Sequence, residues 1–170
     1  MRLPCSWAQS RLWFLEQWEP GTSLYHVVQS LEVVGRVDVA ALQCALDVLV
    51  LRHESLRTGF SDEGGEPAQR IVSSARCALS VEDLRGVEAS ERAAALELRR
   101  QAHGAQPFDL GEPPLLRAAL WQLGDEEQVL QLVLHHIGSD GWSQGVLNRE
   151  LAMLYAAALD GRPAPLPTLP

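Results

Sequence analysis

Apolar positions along the chain follow two different periods, and the change from one to the other marks out the elements. Between Ser6 and Trp18, the residues Trp7, Arg11, Phe14 and Trp18 recur at three- and four-residue steps, the spacing of one helix face. Ser6 with Gln9 three residues on forms a capping box, and Pro20-Gly21 stops the helix. At this helical spacing Trp7, Trp13 and Phe14 are expected in the core. A second helix is predicted in "DVAALQCALDVLVLRHES", with Asp38 as N-cap and Leu42, Leu46 and Leu49 on one face. "SERAAALELRRQAHG" is a third, made of strong helix formers. A fourth runs from Trp142 to about Leu159 and ends before Gly161 as C-cap.

The intervening segments read as strands. "SLYHVVQSLEVVG" is rich in β-branched residues, and "LRTGFSDEGGEPAQRIVS" has the form of a hairpin turning at Gly64-Gly65. "LSVEDL" is a short strand, and "PLLRAALWQLGDEEQVLQLVLHH" is two strands turning over Gly124 to Glu127. The predicted fold class is α/β, of the α+β sandwich kind: a mixed, largely antiparallel sheet with helices packed on it. "GRPAPLPTLP" is spaced by prolines that neither helix nor central strand accommodates, so residues 162–170 are expected to be an extended linker after a domain of residues 1–161.

Composition narrows the function classes. At 170 residues the chain is one domain, able to bury roughly 70% of its unfolded surface without a metal or disulfide. A net charge of -8 argues against nucleic-acid and membrane-surface partners. Cys5, Cys44 and Cys77 are odd in number and widely spaced, which fits a reducing cytoplasm. The N-terminal "MRLPCSWAQS" has no long apolar run of the signal-peptide or membrane-span kind. All 14 basic residues are arginine. This absence of lysine, readily explained by a GC-rich coding bias, excludes a Schiff-base lysine and the lysine of a phosphate-binding P-loop.

The stretch that carries chemistry is "LVLHHIGSDGWSQGVL", Leu132 to Leu147. Strand neighbours point to opposite faces, so Leu130, Leu132, Leu134 and His136 share one face while His135 lies on the other with Val129, Gln131 and Val133. The two histidines therefore cannot bind one metal from a regular strand, and His26, His53 and His103 lack ligand spacing; no metal is expected. Two readings stay open at this level. His136 satisfies backbone at a strand end while Asp140 caps a helix, or His136 is a general base in a cleft, held by a structural aspartate.

Three stretches in order, "SWAQSRLWFL" (Ser6 to Leu15), "RHESLRTGF" (Arg52 to Phe60) and "HHIGSDGWS" (His135 to Ser143), resemble the first three core motifs of condensation domains from nonribosomal peptide synthetases. "QPFDLGEPPLLRAAL" is similar to the family between its second and third motifs. Trp142 after Asp140-Gly141 favours condensation over epimerisation domains, and the intact His-His pair argues against heterocyclisation. "WFLEQWEPGTSLYHV" is most similar to members that join two L-configured residues.

The resemblance implies one lobe of a two-lobed fold like chloramphenicol acetyltransferase, with the active site in a tunnel between lobes. It implies an acyltransferase-type reaction in which an acceptor α-amine attacks a donor thioester. Both substrates ride on phosphopantetheine arms of donor and acceptor peptidyl carrier proteins, with an adenylation domain adjacent, and the chain itself binds no cofactor. By motif, His136 matches the active-site histidine. Asp140, Gly141, His135 and Arg57 match the support of its loop, with Arg57 either pairing with Asp140 or bracing the lobe. Trp142, Ser143 and Gly138 border the substrate tunnel. A free α-amine, pKa near ~7.7–8.0, is partly neutral near pH 7, so a base need supply only about 10²–10⁴-fold; His136 serves as base or as amine-orienting acceptor.

Two departures qualify the match. Gly138 stands where a bulky apolar residue is common, which softens the loop. The chain also contains only what resembles the N-terminal lobe, without the partner lobe that would complete the tunnel or a G-x-D-S carrier attachment site. Little activity is expected of such a lobe alone. A non-catalytic carrier-interaction fragment or gene remnant is one alternative, and a coenzyme A-dependent acyltransferase of the same superfamily another.

Overall fold

The computed structural model describes residues 2–169. In chain order the elements are β1 (Arg2–Pro4), α1 (Trp7–Trp18), β2 (His26–Val34), α2 (Val39–Arg52), a 3-10 turn (Glu54–Arg57), β3 (Thr58–Glu63), β4 (Glu66–Ile71), β5 (Ala78–Asp83), α3 (Ala89–Ala105), β6 (Leu116–Gln122), β7 (Glu127–His135) and α4 (Gly141–Leu159). The larger sheet has the order β2-β7-β6-β5. Its β2–β7 and β6–β7 pairs are antiparallel, whereas β5 and β6 run parallel because α3 carries the chain across between them.

Both faces of this sheet are covered. Leu116, Leu120, Leu130, Leu132 and Leu134 meet Leu42, Leu46 and Leu49 of α2 and Leu147, Leu151 and Leu154 of α4. On the other face Ala119, Trp121 and Val129 pack with Leu84 and with Leu96 of α3. Double coverage explains why β6 and β7 are near-continuous apolar runs instead of alternating ones. Each fully buried leucine, such as Leu46 and Leu49 at 0% exposure, contributes roughly 1.5–3 kcal/mol by leaving water. The predicted α2 face is the observed one, and Asp38 caps it by accepting from the Ala41 amide at 2.9 Å.

A second sheet, β1-β4-β3, separates the hairpin from the larger sheet. Its turn uses Gly64 and Gly65 at φ 71° and 92°, the paired left-handed conformation of a two-residue turn. The single sheet expected from the sequence is thus two, since the hairpin pairs with β1, a strand of three residues too short to show a period.

The face of α1 is a correction. The capping box at Ser6 and Gln9 forms as expected, but Trp7 is 95% exposed, Trp18 is exposed and Phe14 is half-exposed. The helix buries Trp13 and Glu16, with Trp13 set among Phe60, Leu110, Leu115 and Ile137. Period fixes which residues share a face; which face meets the core depends on the small sheet beneath, so the expectation for Trp7 and Phe14 fails while that for Trp13 holds.

Helix α4 ends in a Schellman arrangement, with Gly161 N–H donating to Ala158 O and Arg162 N–H to Ala157 O. Residues 162–169 have no regular structure, yet Ala164 and Leu166 pack against the α2–α4 layer. Among the described residues no helix is long and apolar enough to cross a membrane.

Candidate functional site

The site begins where β7 stops. His135 is paired with His26 across the β2–β7 ladder, and the next amide, His136 N–H, donates to Tyr25 O at 2.8 Å. Pairing then ends, and Gly138 N–H folds back onto His135 O at 3.1 Å. The two histidines consequently meet opposite environments. His135 is 1% exposed, with its ring against those of Tyr25, His26 and Phe108. Its Nδ1 accepts the Ile137 amide at 3.1 Å, while its buried Nε2 has no partner among the described residues. Burial first, then the nearby His26 and His136, pushes its pKa down to about 4. His135 is a neutral packing residue at pH 7.

His136 is exposed. Its Nδ1 stands 2.7 Å from the carbonyl oxygen of Ser139. A carbonyl can only accept, so Nδ1 carries the proton and Nε2 keeps its lone pair for another partner. The Ser139 backbone thereby selects the tautomer, a role that no side-chain motif announces.

Asp140 is the N-cap of α4, and its Oδ1 accepts from Ser143 N–H at 2.9 Å and from Ser143 Oγ–H at 2.6 Å. These two donors, hydroxyl before amide, lower the Asp140 pKa, with His136 adding to them. Gly141 opens the helix with clear space where a Cβ would stand. Trp142 projects into solvent at 85% exposure, and Ser143 is half-buried. At Gly138 an added Cβ would lie 3.0 Å from Ser55 O. A bulky apolar residue there would press on the turn after α2, which gives this glycine a steric reason.

Arg57 lies elsewhere. It donates to Leu51 O at 3.1 Å and to Val72 O, and it pairs with Glu54 at 3.0 Å. Among the described residues no bond links it to Asp140. These bonds join the end of α2 to the residue that follows β4.

The tie between α2 and the loop-bearing helix comes instead from residues that no motif singles out. Glu150, 5% exposed on α4, accepts from His53 Nε2 at 2.7 Å and Arg52 Nε at 3.0 Å. Burial opposes its ionisation, but the donors from Arg52 and His53 outweigh this and lower its pKa. Arg117 is equally unmarked in the sequence. Buried on β6, it donates to His103 O at the end of α3, and its Cζ stacks 4.1 Å from the ring centroid of Phe108, the ring that packs on His135. Burial pushes its pKa down to about 10.

The turn thus presents His136 in solvent next to the capped start of α4. Comparison with known proteins places it in a family: residues 2–170 match the model described as "Condensation domain". The chain belongs to the condensation domain family. It is 48% identical over 169 residues to phosphinothricin tripeptide synthetase PhsC of Streptomyces viridochromogenes, covering 99% of this chain and 16% of that protein. It is 44% identical over 165 residues to malpibaldin synthetase of Mortierella alpina, covering 96% and 3%. Among solved structures, it resembles the first condensation domain of the calcium-dependent antibiotic synthetase with a TM-score of 0.83 and 32% identity, covering 98% of this chain and 40% of that one. The starter condensation domain of rhizomide synthetase RzmA gives a TM-score of 0.85 at 27% identity, covering 96% and 41%. The chain thus spans about two fifths of these solved domains and a small share of the synthetases.

Proposed function

We propose that residues 1–161 act as the N-terminal lobe of a condensation domain, with 162–170 leading toward the other lobe, and that the His136 turn supplies the active-site loop. The observation that carries this is the His136 Nδ1–H bond to Ser139 O. It leaves Nε2 as an acceptor in solvent, the form needed to orient an attacking amine and take its proton. In the reaction the acceptor α-amine nitrogen forms a C–N bond with the donor thioester carbonyl, and the C–S bond breaks. The amine proton passes to Nε2 and then to the departing thiolate, so the products are an amide and a free thiol. No redox partner is needed. The chain contributes no cofactor chemistry of its own, because donor and acceptor carrier proteins deliver their thioesters on phosphopantetheine arms. An adenylation domain loads them.

Synthetases of the matched relatives support the assignment, as does the capped start of α4, which fixes Asp140 and Gly141 beside the turn. The test joins this chain to the C-terminal part of a relative's condensation domain and measures amide formation between carrier-bound substrates by mass spectrometry. Amide formation that falls about 10²–10⁴-fold in His136→Ala supports the proposal. Carrier binding with no amide, indifferent to His136, points to an interaction fragment. Turnover of acyl-coenzyme A with a free amine points to a coenzyme A-dependent acyltransferase.

A further inference from the structure

The end of α3 comes down over the start of β2, beside the His136 turn. The last carbonyls of a helix have no partner inside it and need donors from elsewhere. Arg117 of β6 supplies them to His103 O and Gln106 O. Gly104 O is met by His26, 78 positions away, whose Nδ1 stands 2.8 Å from it. A carbonyl only accepts, so Nδ1 of His26 carries the proton. Burial lowers the His26 pKa, against a smaller rise from the Gly104 bond, so the ring is neutral near pH 7. The approach is close: a Cβ added at Gly104 would lie 3.4 Å from a Val28 methyl.

From His26 a line of contacts leads to His136. The His26 ring stands near-perpendicular to those of Phe108 and His135, at 5.1 Å and 5.9 Å between centroids. His135 Nδ1 accepts the Ile137 amide at 3.1 Å, so the setting of that ring bears on the path of the turn. Two residues further on, Ser139 O selects the His136 tautomer. The backbone supports the same register, because Tyr25 O, next to His26, accepts the His136 amide at 2.8 Å. Of the three rings against His135, that of His26 is the one bonded to α3 among the described residues.

We propose that His26 is a positioning residue for His136: by bonding Gly104 O it anchors the rings around His135 to α3, and so holds the turn that sets the His136 tautomer. The proposal rests on the reading of His136 as the residue that orients the attacking amine. His26 touches no reacting group; it acts through His135 and the turn.

The experiment has two readouts. Long-range ¹⁵N–¹H spectra of the full chain at pH 8 report the tautomer of each histidine. His26 and His136 are both expected with the proton on Nδ1, and a proton on Nε2 of His26 would overturn the proposal without any variant. His26→Phe keeps a ring against His135 and removes the donor to Gly104 O; in it His136 is expected to become a mixture of tautomers. Amide formation is measured on the chain joined to the C-terminal part of a relative's condensation domain. Losing one hydrogen bond corresponds to about 3–10-fold, and His26→Phe is expected to lower kcat by that factor with KM unchanged. His26→Asn, whose side-chain N–H can donate to Gly104 O, is expected to recover most of the loss. Val87→Ala thins the packing beside Leu84 and Trp121, away from the turn; it controls for lost stability and should leave kcat unchanged. An unchanged kcat in His26→Phe, an equal fall in Val87→Ala, or no recovery in His26→Asn would each overturn the proposal. If His26→Phe fails to fold, Phe108→Leu loosens the same rings, and a single unaltered His136 tautomer there would overturn it. Amide formation indifferent to His136→Ala would overturn the reading of His136 instead, and the His136 tautomer in His26→Phe then decides by itself whether His26 holds the turn.

Discussion

His53 Nε2 and Glu150 Oε2, 97 positions apart in the chain, meet at 2.7 Å, and this contact fastens the end of α2 to the middle of α4. Arg52 adds a second donor to the same carboxylate at 3.0 Å. Removing Glu150 leaves the largely buried Arg52 charge without its partner, so Glu150→Ala is expected to lose about 3–5 kcal/mol in urea unfolding. Replacing the pair with apolar residues, Arg52→Met with Glu150→Leu, should restore most of that stability. A double variant as unstable as Glu150→Ala would show that the pair matters for something other than its unpaired charge.

At the other end of α4, Asp140 serves as a cap through Ser143. Loss of such a cap costs about 0.5–2 kcal/mol. Asp140→Ala should therefore lower stability by that amount, while Asp140→Asn, which keeps the accepting oxygen, should lose little. Equal losses in thermal melts would mean that the negative charge, not the acceptor, holds the loop.

Arg57 predicts a contrast in hydrogen exchange. Its bonds run to Leu51 O and Val72 O. Arg57→Ala should speed exchange around residues 53–57 and at Val72, whose amide donates to Arg57 O at 3.1 Å. The Ser143 amide, held by Asp140, should exchange as before. Faster exchange at Ser143 would instead tie Arg57 to the His136 loop.

These contrasts also show what a sequence can and cannot carry. Local order is readable: Ser6 with Gln9, Asp38 with the α2 leucines, and the glycine pair of the hairpin each depend on neighbours within a few residues. Strand alternation separates His135 from His136, but the exposure of His136 comes from the end of β7 and the turn that follows it. Contacts that depend on the chain returning to itself are not readable. Glu150 looks like any helical glutamate until α2 brings His53 to it, and Arg117 reads as a strand arginine until α3 ends over it. The stripe of Trp7, Phe14 and Trp18 has the right period but lies exposed. The parallel β5–β6 pair depends on where α3 lays the chain down. Ser139 contributes only a backbone oxygen, which leaves no trace in residue type.

His135 supplies a stability change with a defined sign. Its folded pKa of about 4 lies below the ordinary 6.5, so the unfolded chain takes up its proton first as pH falls. The stability contributed by keeping it neutral is complete above about pH 6.5 and declines as pH falls toward about 4. The full change is roughly 3 kcal/mol, of which about 2 kcal/mol is gone by pH 5. His26 and His103, both lowered first by burial, act in the same direction. His135→Asn removes the titration while its side-chain oxygen can still accept the Ile137 amide. Urea unfolding at pH 7 and pH 5 should show a smaller drop in this variant than in the parent. Identical drops would place the acid sensitivity in other groups, because a histidine absent from the variant cannot contribute to a difference that survives its removal.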